Sequence, residues 1–109
     1  MTEITIYRNQ DHEIERFTCS GHAEYDEYGK DIVCASISVL VINTINSIET
    51  FTSCEFTCEA EEESGELDFQ FTDEITQDAA LLIDAMVLGL QSIQENYGNE
   101  YIILDFKEV

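Results

Sequence analysis

Asp31-Ile-Val-Cys34-Ala-Ser-Ile-Ser38-Val-Leu-Val-Ile-Asn-Thr44-Ile-Asn-Ser-Ile48 is the stretch on which the fold turns. Val33, Ile37, Leu40, Val41, Thr44 and Ile48 recur at steps of three and four, which puts them on one face of a helix. The β-branched Ile32, Val33, Ile37, Val39, Val41, Ile42 and Ile45 argue for a strand instead. Length decides between them, because no turn signal interrupts the stretch, and the spacing predicts a buried helix from 32 to about 50.

On the N-terminal side, residues 2 to 8 and 13 to 20 read as strands joined by a polar turn at Asn9 to His12. His12 in that turn is expected to be exposed and without a role. On the C-terminal side come strands at about 51 to 60 and 66 to 72, joined by a turn at Glu61 to Gly65. A second helix is expected over about 74 to 97, with Ile75, Ala79, Leu82, Ile83, Met86, Leu90, Ile93 and Tyr97 facing inward and Gly98 stopping it. A last strand runs from Tyr101 to Phe106. The two halves share an element order without a residue repeat. The order β-β-α-β-β-α-β predicts one α+β domain over residues 1–109, a mostly antiparallel sheet covered by two helices.

A chain of 109 residues has room for one core, and a hydrophobic content of 44% with no proline is that of a globular protein. Twenty-four acidic residues against 4 basic ones give a net charge of -20. Such a field repels nucleic-acid backbones and anionic lipid, and attracts basic partners. The N-terminus has no basic segment followed by an apolar one, so export is not expected and the cytosol is the expected compartment. The longest apolar run, near Ile37 to Ile42, reads as too short for the roughly 18 residues a membrane span needs, so no membrane association is expected.

Four cysteines in a reducing compartment are expected to be free thiols. Read on one strand, Cys54 and Cys58 lie about 13 Å apart, too far for a shared zinc or a disulfide, and are taken as small packing residues. Cys34 is different. With Asp31 as N-cap it would occupy the third helical position, where the helix dipole favours the thiolate that acts as nucleophile. Gly21-His22-Ala23 ends the preceding strand, and an imidazole beside that thiolate would lower its pKa and return a proton to the leaving amine. Amides of the same first turn could hold the oxyanion. Asp31 would orient His22 or else oppose the thiolate, and Ser38 shares the Cys34 face, lining a pocket or bonding the preceding turn. Two other readings stay open from spacing alone. Cys34 packs in the core while His22 closes a turn, or Cys19, His22 and Cys34 bind zinc if the chain bends at Gly21.

Gly21-His22-Ala23 followed by Tyr28-Gly29-Lys30-Asp31-Ile32-Val33-Cys34-Ala35, with Ser38 beyond, resembles the ribosomal-processing cysteine protease (Prp) family. The resemblance implies an endopeptidase that removes an N-terminal extension from a large-subunit ribosomal protein precursor, the one numbered twenty-seven, after a pair of phenylalanines. It implies Cys34 as nucleophile, His22 as its proton-transfer partner, a closing loop between them, a homodimer, and neither cofactor nor metal. Gly21, Tyr25, Tyr28, Asp31 and Ser38 are the expected supporting residues, the tyrosines and the inward face of the first helix flanking an apolar cleft for substrate. Ser36 departs from the family, where glycine or alanine is usual, as does the acidic loop of Glu24, Asp26 and Glu27. The alternative is a non-catalytic acidic module that docks on basic ribosomal proteins.

Overall fold

Alternation in the first twenty residues becomes two paired strands, β1 (Thr2–Arg8) and β2 (Ile14–Ser20), with Ile4 opposite Cys19 and Ile6 opposite Phe17. The Asn9 carboxamide holds their turn, its Oδ1 accepting the amides of Asp11 at 2.9 Å and Glu13 at 3.0 Å. The computed structural model describes residues 2–21, 28–61, 65–98 and 100–109; the side chains of residues 28–31 lie outside that description.

The remaining elements are α1 (Tyr28–Phe51), β3 (Phe56–Glu61), β4 (Glu66–Phe71), α2 (Gln77–Tyr97) and β5 (Ile102–Glu108), in the expected order. They form one five-stranded sheet in the order β3-β4-β2-β1-β5. Three of the four pairings are antiparallel, and the fourth, β1 with β5, is parallel, so the sheet is mixed. The parallel pair joins the first and last strands, and α2 carries the chain from β4 across to β5 at that edge.

Strand residues alternate between a buried face and a solvated one. Ile4, Ile6, Phe17, Phe69, Phe71 and Ile102 pack against Val33, Ile37, Val41 and Ile48 of α1 and Ala79, Ile83, Met86 and Leu90 of α2. Phe69 is fully buried, stacked on Phe17 at 4.9 Å and Phe56 at 4.8 Å and edge-on to Phe71 at 5.0 Å. Each such ring contributes about 1.5–3 kcal/mol by burial. Where the helices cross, a Cβ on Gly89 would come within 2.7 Å of Leu40 Cδ2, so the absence of a side chain lets them approach.

Several boundaries differ from the sequence expectation. The third strand begins at Phe56 rather than 51, because α1 continues through Phe51 and residues 52–55 form a connection. Cys54 lies in that connection, not on a strand. Its Sγ is 3.1 Å from the Thr76 amide that donates to it, and also 3.1 Å from Thr76 Oγ1, which ties the connection to the start of α2. The second helix starts three residues later than expected, after Thr76, and Tyr97 faces out rather than in. The apolar run of α1 also exceeds the expectation. Ile32–Phe51 has a mean hydropathy of 1.6, long and apolar enough to cross a membrane, although its core face is packed on the sheet.

Candidate active site

The helix α1 begins at Tyr28, earlier than the expected cap at Asp31. Asp31 is therefore a residue of the first turn and not the N-cap, and Cys34 stands one turn further along, in the second turn. The dipole effect is confined to the terminal turn, so the helix end by itself does not activate this thiol. Burial of Val33 and Ile37 fixes the rotation of the helix and leaves Cys34 half-buried at the border of the core.

Cys34 opens on a cleft of about 240 Å³. One wall is α1, with Ile37, Ser38, Val41 and Ile42; the other is built from Cys19 and Gly21 at the end of β2, Ala60 and Glu61 of β3, and Leu67 of β4. The lining is mainly apolar, with Glu61 and Glu66 the acidic residues. The volume lies below the roughly 300–1,000 Å³ of pockets that enclose a drug-sized ligand, so the cleft suits one or two side chains of a longer chain. Gly21, at the cleft's rim, has φ 85°, a left-handed backbone that glycine adopts freely.

Ser38, one turn past Cys34, is among the residues that line the cleft. Gly21 lines it too. His22 and Tyr25 lie outside the described residues, as do the side chains of Tyr28 and Asp31, whose backbone is part of α1. Cys19, on β2, meets Cys34 across the cleft as the zinc reading also brings them together, whereas Ala60, Glu61 and Leu67 reach the site only because β4 and then β3 are laid beside β2, and no local pattern in those strands announces that order.

The other cysteines differ in environment. Burial, with a smaller contribution from Cys58, pushes the Cys19 thiol up to about 12, which keeps it protonated at neutral pH. Burial first, and then the charge of Asp68, also raise Cys58, on exposed β3. Cys54 is buried against Thr76. Cys34 is therefore the thiol placed both to be reached and to face an apolar cleft. Among the described residues no group of three or more His, Cys, Asp or Glu side chains is gathered in a metal-binding arrangement.

On the far face of the sheet, Arg16 forms a two-pronged ion pair with Asp68, Nε to Oδ1 at 2.9 Å and Nη2 to Oδ2 at 2.7 Å, and lies over the Tyr7 ring at 5.0 Å. Glu59, Glu61, Glu66 and Asp68 make that end of the outer face acidic, around a shallow depression that also includes Thr18 and Ser20.

The family model described as "Cysteine protease Prp" matches residues 1–102. Ribosomal processing cysteine protease Prp of Bacillus subtilis is 33% identical over 101 residues, covering 89% of this chain and 90% of that protein. The protein of the same name from Staphylococcus aureus is 32% identical over 107 residues, covering 98% and 100%. The solved structure of the Staphylococcus aureus protease with a covalently linked product peptide has a TM-score of 0.89 at 32% identity, covering 98% of this chain and all of that one. The structure of that protease with a substrate peptide has a TM-score of 0.91 at 31% identity and the same coverage. A half-buried thiol over an apolar cleft, on a fold shared along nearly the whole chain with these peptide-bound proteases, leads to one conclusion: the chain belongs to the Prp family of cysteine proteases.

Proposed function

We propose that the protein removes the N-terminal extension of a large-subunit ribosomal protein precursor, the one numbered twenty-seven, in the cytosol, with Cys34 as nucleophile and His22 as its proton-transfer partner. The observation that carries this reading is the position of Cys34 on the wall of an apolar cleft sized for one or two substrate side chains. The relatives' name, ribosomal processing cysteine protease, supports the substrate.

In the first step His22 takes the Cys34 proton and the thiolate attacks the scissile carbonyl carbon, whose π electrons move onto oxygen. Collapse of that oxyanion expels the amine, which takes the proton from the His22 imidazolium and leaves a thioester. Water, losing a proton to His22, then attacks the thioester, and the returning proton restores the Cys34 thiol. Cys34 stands one turn beyond the first turn of α1, residues 28–31. Asp31 of that first turn supports His22, and Tyr25, Tyr28 and Gly21 border the peptide. A basic substrate is drawn by a chain of net charge -20.

The working form in this reading is a homodimer. No charged residue occurs from Ile32 through Ile48, yet Val39 is 70% exposed and Ile42 52%. Leu81 and Leu88 of α2 are 69% and 70% exposed. The uncharged, partly exposed stretch of α1 on so acidic a chain is where two copies can meet with little mutual repulsion, the exposed leucines of α2 adding apolar surface.

Incubation of purified precursor with wild type, Cys34→Ala and His22→Ala tests the reading. Cleavage by wild type alone, at one site, is expected. Equal cleavage by wild type and Cys34→Ala removes the dyad, and tight binding without cleavage leaves a docking module.

A further inference from the structure

We propose that the extended backbone of the substrate peptide pairs with the free edge of β3, adding a sixth strand that leads into the Cys34 cleft. This rests on the proteolytic reading above and names the surface that reading leaves unassigned.

The strand β3 is a border strand, and among the described residues nothing pairs with its far side. Thr57 through Glu61 are all exposed. One hydrogen bond fixes which of its backbone groups point outward. The Thr72 amide donates to the Glu55 carbonyl at 3.0 Å, just before Phe56 pairs with Phe71. Antiparallel pairs alternate between bonded and unbonded, so Thr57, Glu59 and Glu61 bond toward β4, while Phe56, Cys58 and Ala60 turn their N–H and C=O groups to the open edge. A regular row of unmet donors and acceptors is what an extended peptide needs.

The edge is continuous with the site. Ala60 and Glu61, at the end of β3, line the same cleft as Cys34. A strand laid along the edge therefore delivers its backbone to the thiol in the extended form that exposes a peptide bond. Its alternate side chains would face the apolar cleft, and the intervening ones would stand beside Glu59 and Glu61 on the acidic outer face.

That alternation also selects the occupant. A second copy pairing antiparallel through β3 about Cys58 would set Glu61 opposite Glu55 and Glu59 opposite Thr57, adding like charges to two chains that each carry -20. A peptide with apolar residues in one alternate set and lysine or arginine in the other meets both faces.

The test uses a cleavable precursor peptide and single N-methyl substitutions at each backbone amide on both sides of the scissile bond. Pairing predicts that kcat/KM falls roughly fivefold to thirtyfold at every second position on one side, with the positions between nearly unchanged. The matching change in the protein is Cys58→Pro, which removes an outward N–H and leaves the bonds to β4 in place. It is expected to lower kcat/KM by a similar factor while Cys34 keeps its reactivity toward iodoacetamide. Should Cys58→Pro fail to fold by circular dichroism, the N-methyl series decides alone. Cleavage with a flat response to N-methylation overturns the pairing but leaves the protease. Failure of wild type to cut the unmodified peptide overturns the protease, and the pairing with it. Dissociation of a dimer by Cys58→Pro assigns the edge to a second copy and overturns the proposal.

Discussion

Cys19 and Cys34 face one cleft from opposite walls, the first buried on the sheet and the second half-buried on the helix. The two thiols differ in environment: burial pushes Cys19 up to about 12, whereas Cys34 is only half-buried. Iodoacetamide at neutral pH is expected to alkylate Cys34 first, then exposed Cys58, and to spare Cys19 and Cys54. Peptide mass mapping over time reads the order. Modification of Cys19 as fast as Cys34 would contradict the arrangement, because a thiol with so high a pKa offers almost no thiolate below pH 9.

Ser38 tests the cleft itself. It lies one turn beyond Cys34 and lines the space with Ile37, Val41 and Ile42. Ser38→Leu would occupy volume that a substrate side chain needs. Losing most of the burial of one apolar side chain, about 1.5–3 kcal/mol, corresponds to a KM about ten- to a hundredfold higher. The small reagent iodoacetamide should still react with Cys34 at its wild-type rate. A variant with unchanged KM would place the peptide elsewhere.

Val39 on α1 and Leu88 on α2 are each 70% exposed, on the helical side proposed for the dimer. Val39→Asp and Leu88→Asp put charge there without touching the core. Each should change monomer stability by no more than about 0.5 kcal/mol, yet shift sedimentation from dimer to monomer. A wild type that sediments as a monomer at micromolar concentration removes the basis for this pair.

The elements were legible because each is written in local periodicity: Leu67, Phe69 and Phe71 at period two, Val33, Ile37, Val41 and Ile48 at the helical period. Their ends were less so. Asp31 is a good N-cap by type, but Tyr28 already lies in the helix, and a cap preference of about 1 kcal/mol does not outweigh the context that extends it. Cys54 was assigned to a strand because Phe51 to Cys58 has strand composition, whereas the bond from Thr76 and burial against α2 hold it in a connection. Spacing brought Cys34 and Ser38 together because a helix turn is a local object. The Ala60 and Leu67 wall depends on which strands become neighbours, a property of the whole sheet.

The contact between Cys54 and Thr76 is measurable by itself. Thr76 makes no side-chain cap to α2, and its own amide ends on Cys54 Sγ. Cys54→Ala would leave that partly buried donor without its partner, at about 1 kcal/mol, and Cys54→Ser should recover part of the loss through its hydroxyl. Urea denaturation of the three proteins gives the order wild type, serine, alanine. Alanine as stable as serine would show that the sulfur acts only by filling space.

The Arg16 and Asp68 pair makes stability depend on pH in a defined direction. The hydrogen bonds from Arg16 are the main cause holding the Asp68 carboxyl below its usual range, with the guanidinium charge assisting and burial opposing. A carboxylate whose folded pKa is depressed adds stability above its unfolded value, near 3.9, and loses it as pH falls through the folded value. Both side chains are well exposed, 38% for Arg16 and 41% for Asp68, so the contribution is bounded at about 1 kcal/mol. Asp68→Asn should therefore lower the unfolding free energy by up to about that amount at pH 7. The difference from wild type should shrink below pH 4 and vanish once the native aspartate is protonated. Added salt should reduce it at pH 7 as well. Paired denaturation curves at pH 7 and pH 2.5 decide the matter, and a difference that persists unchanged into acid would mean that Asp68 acts by packing rather than by charge.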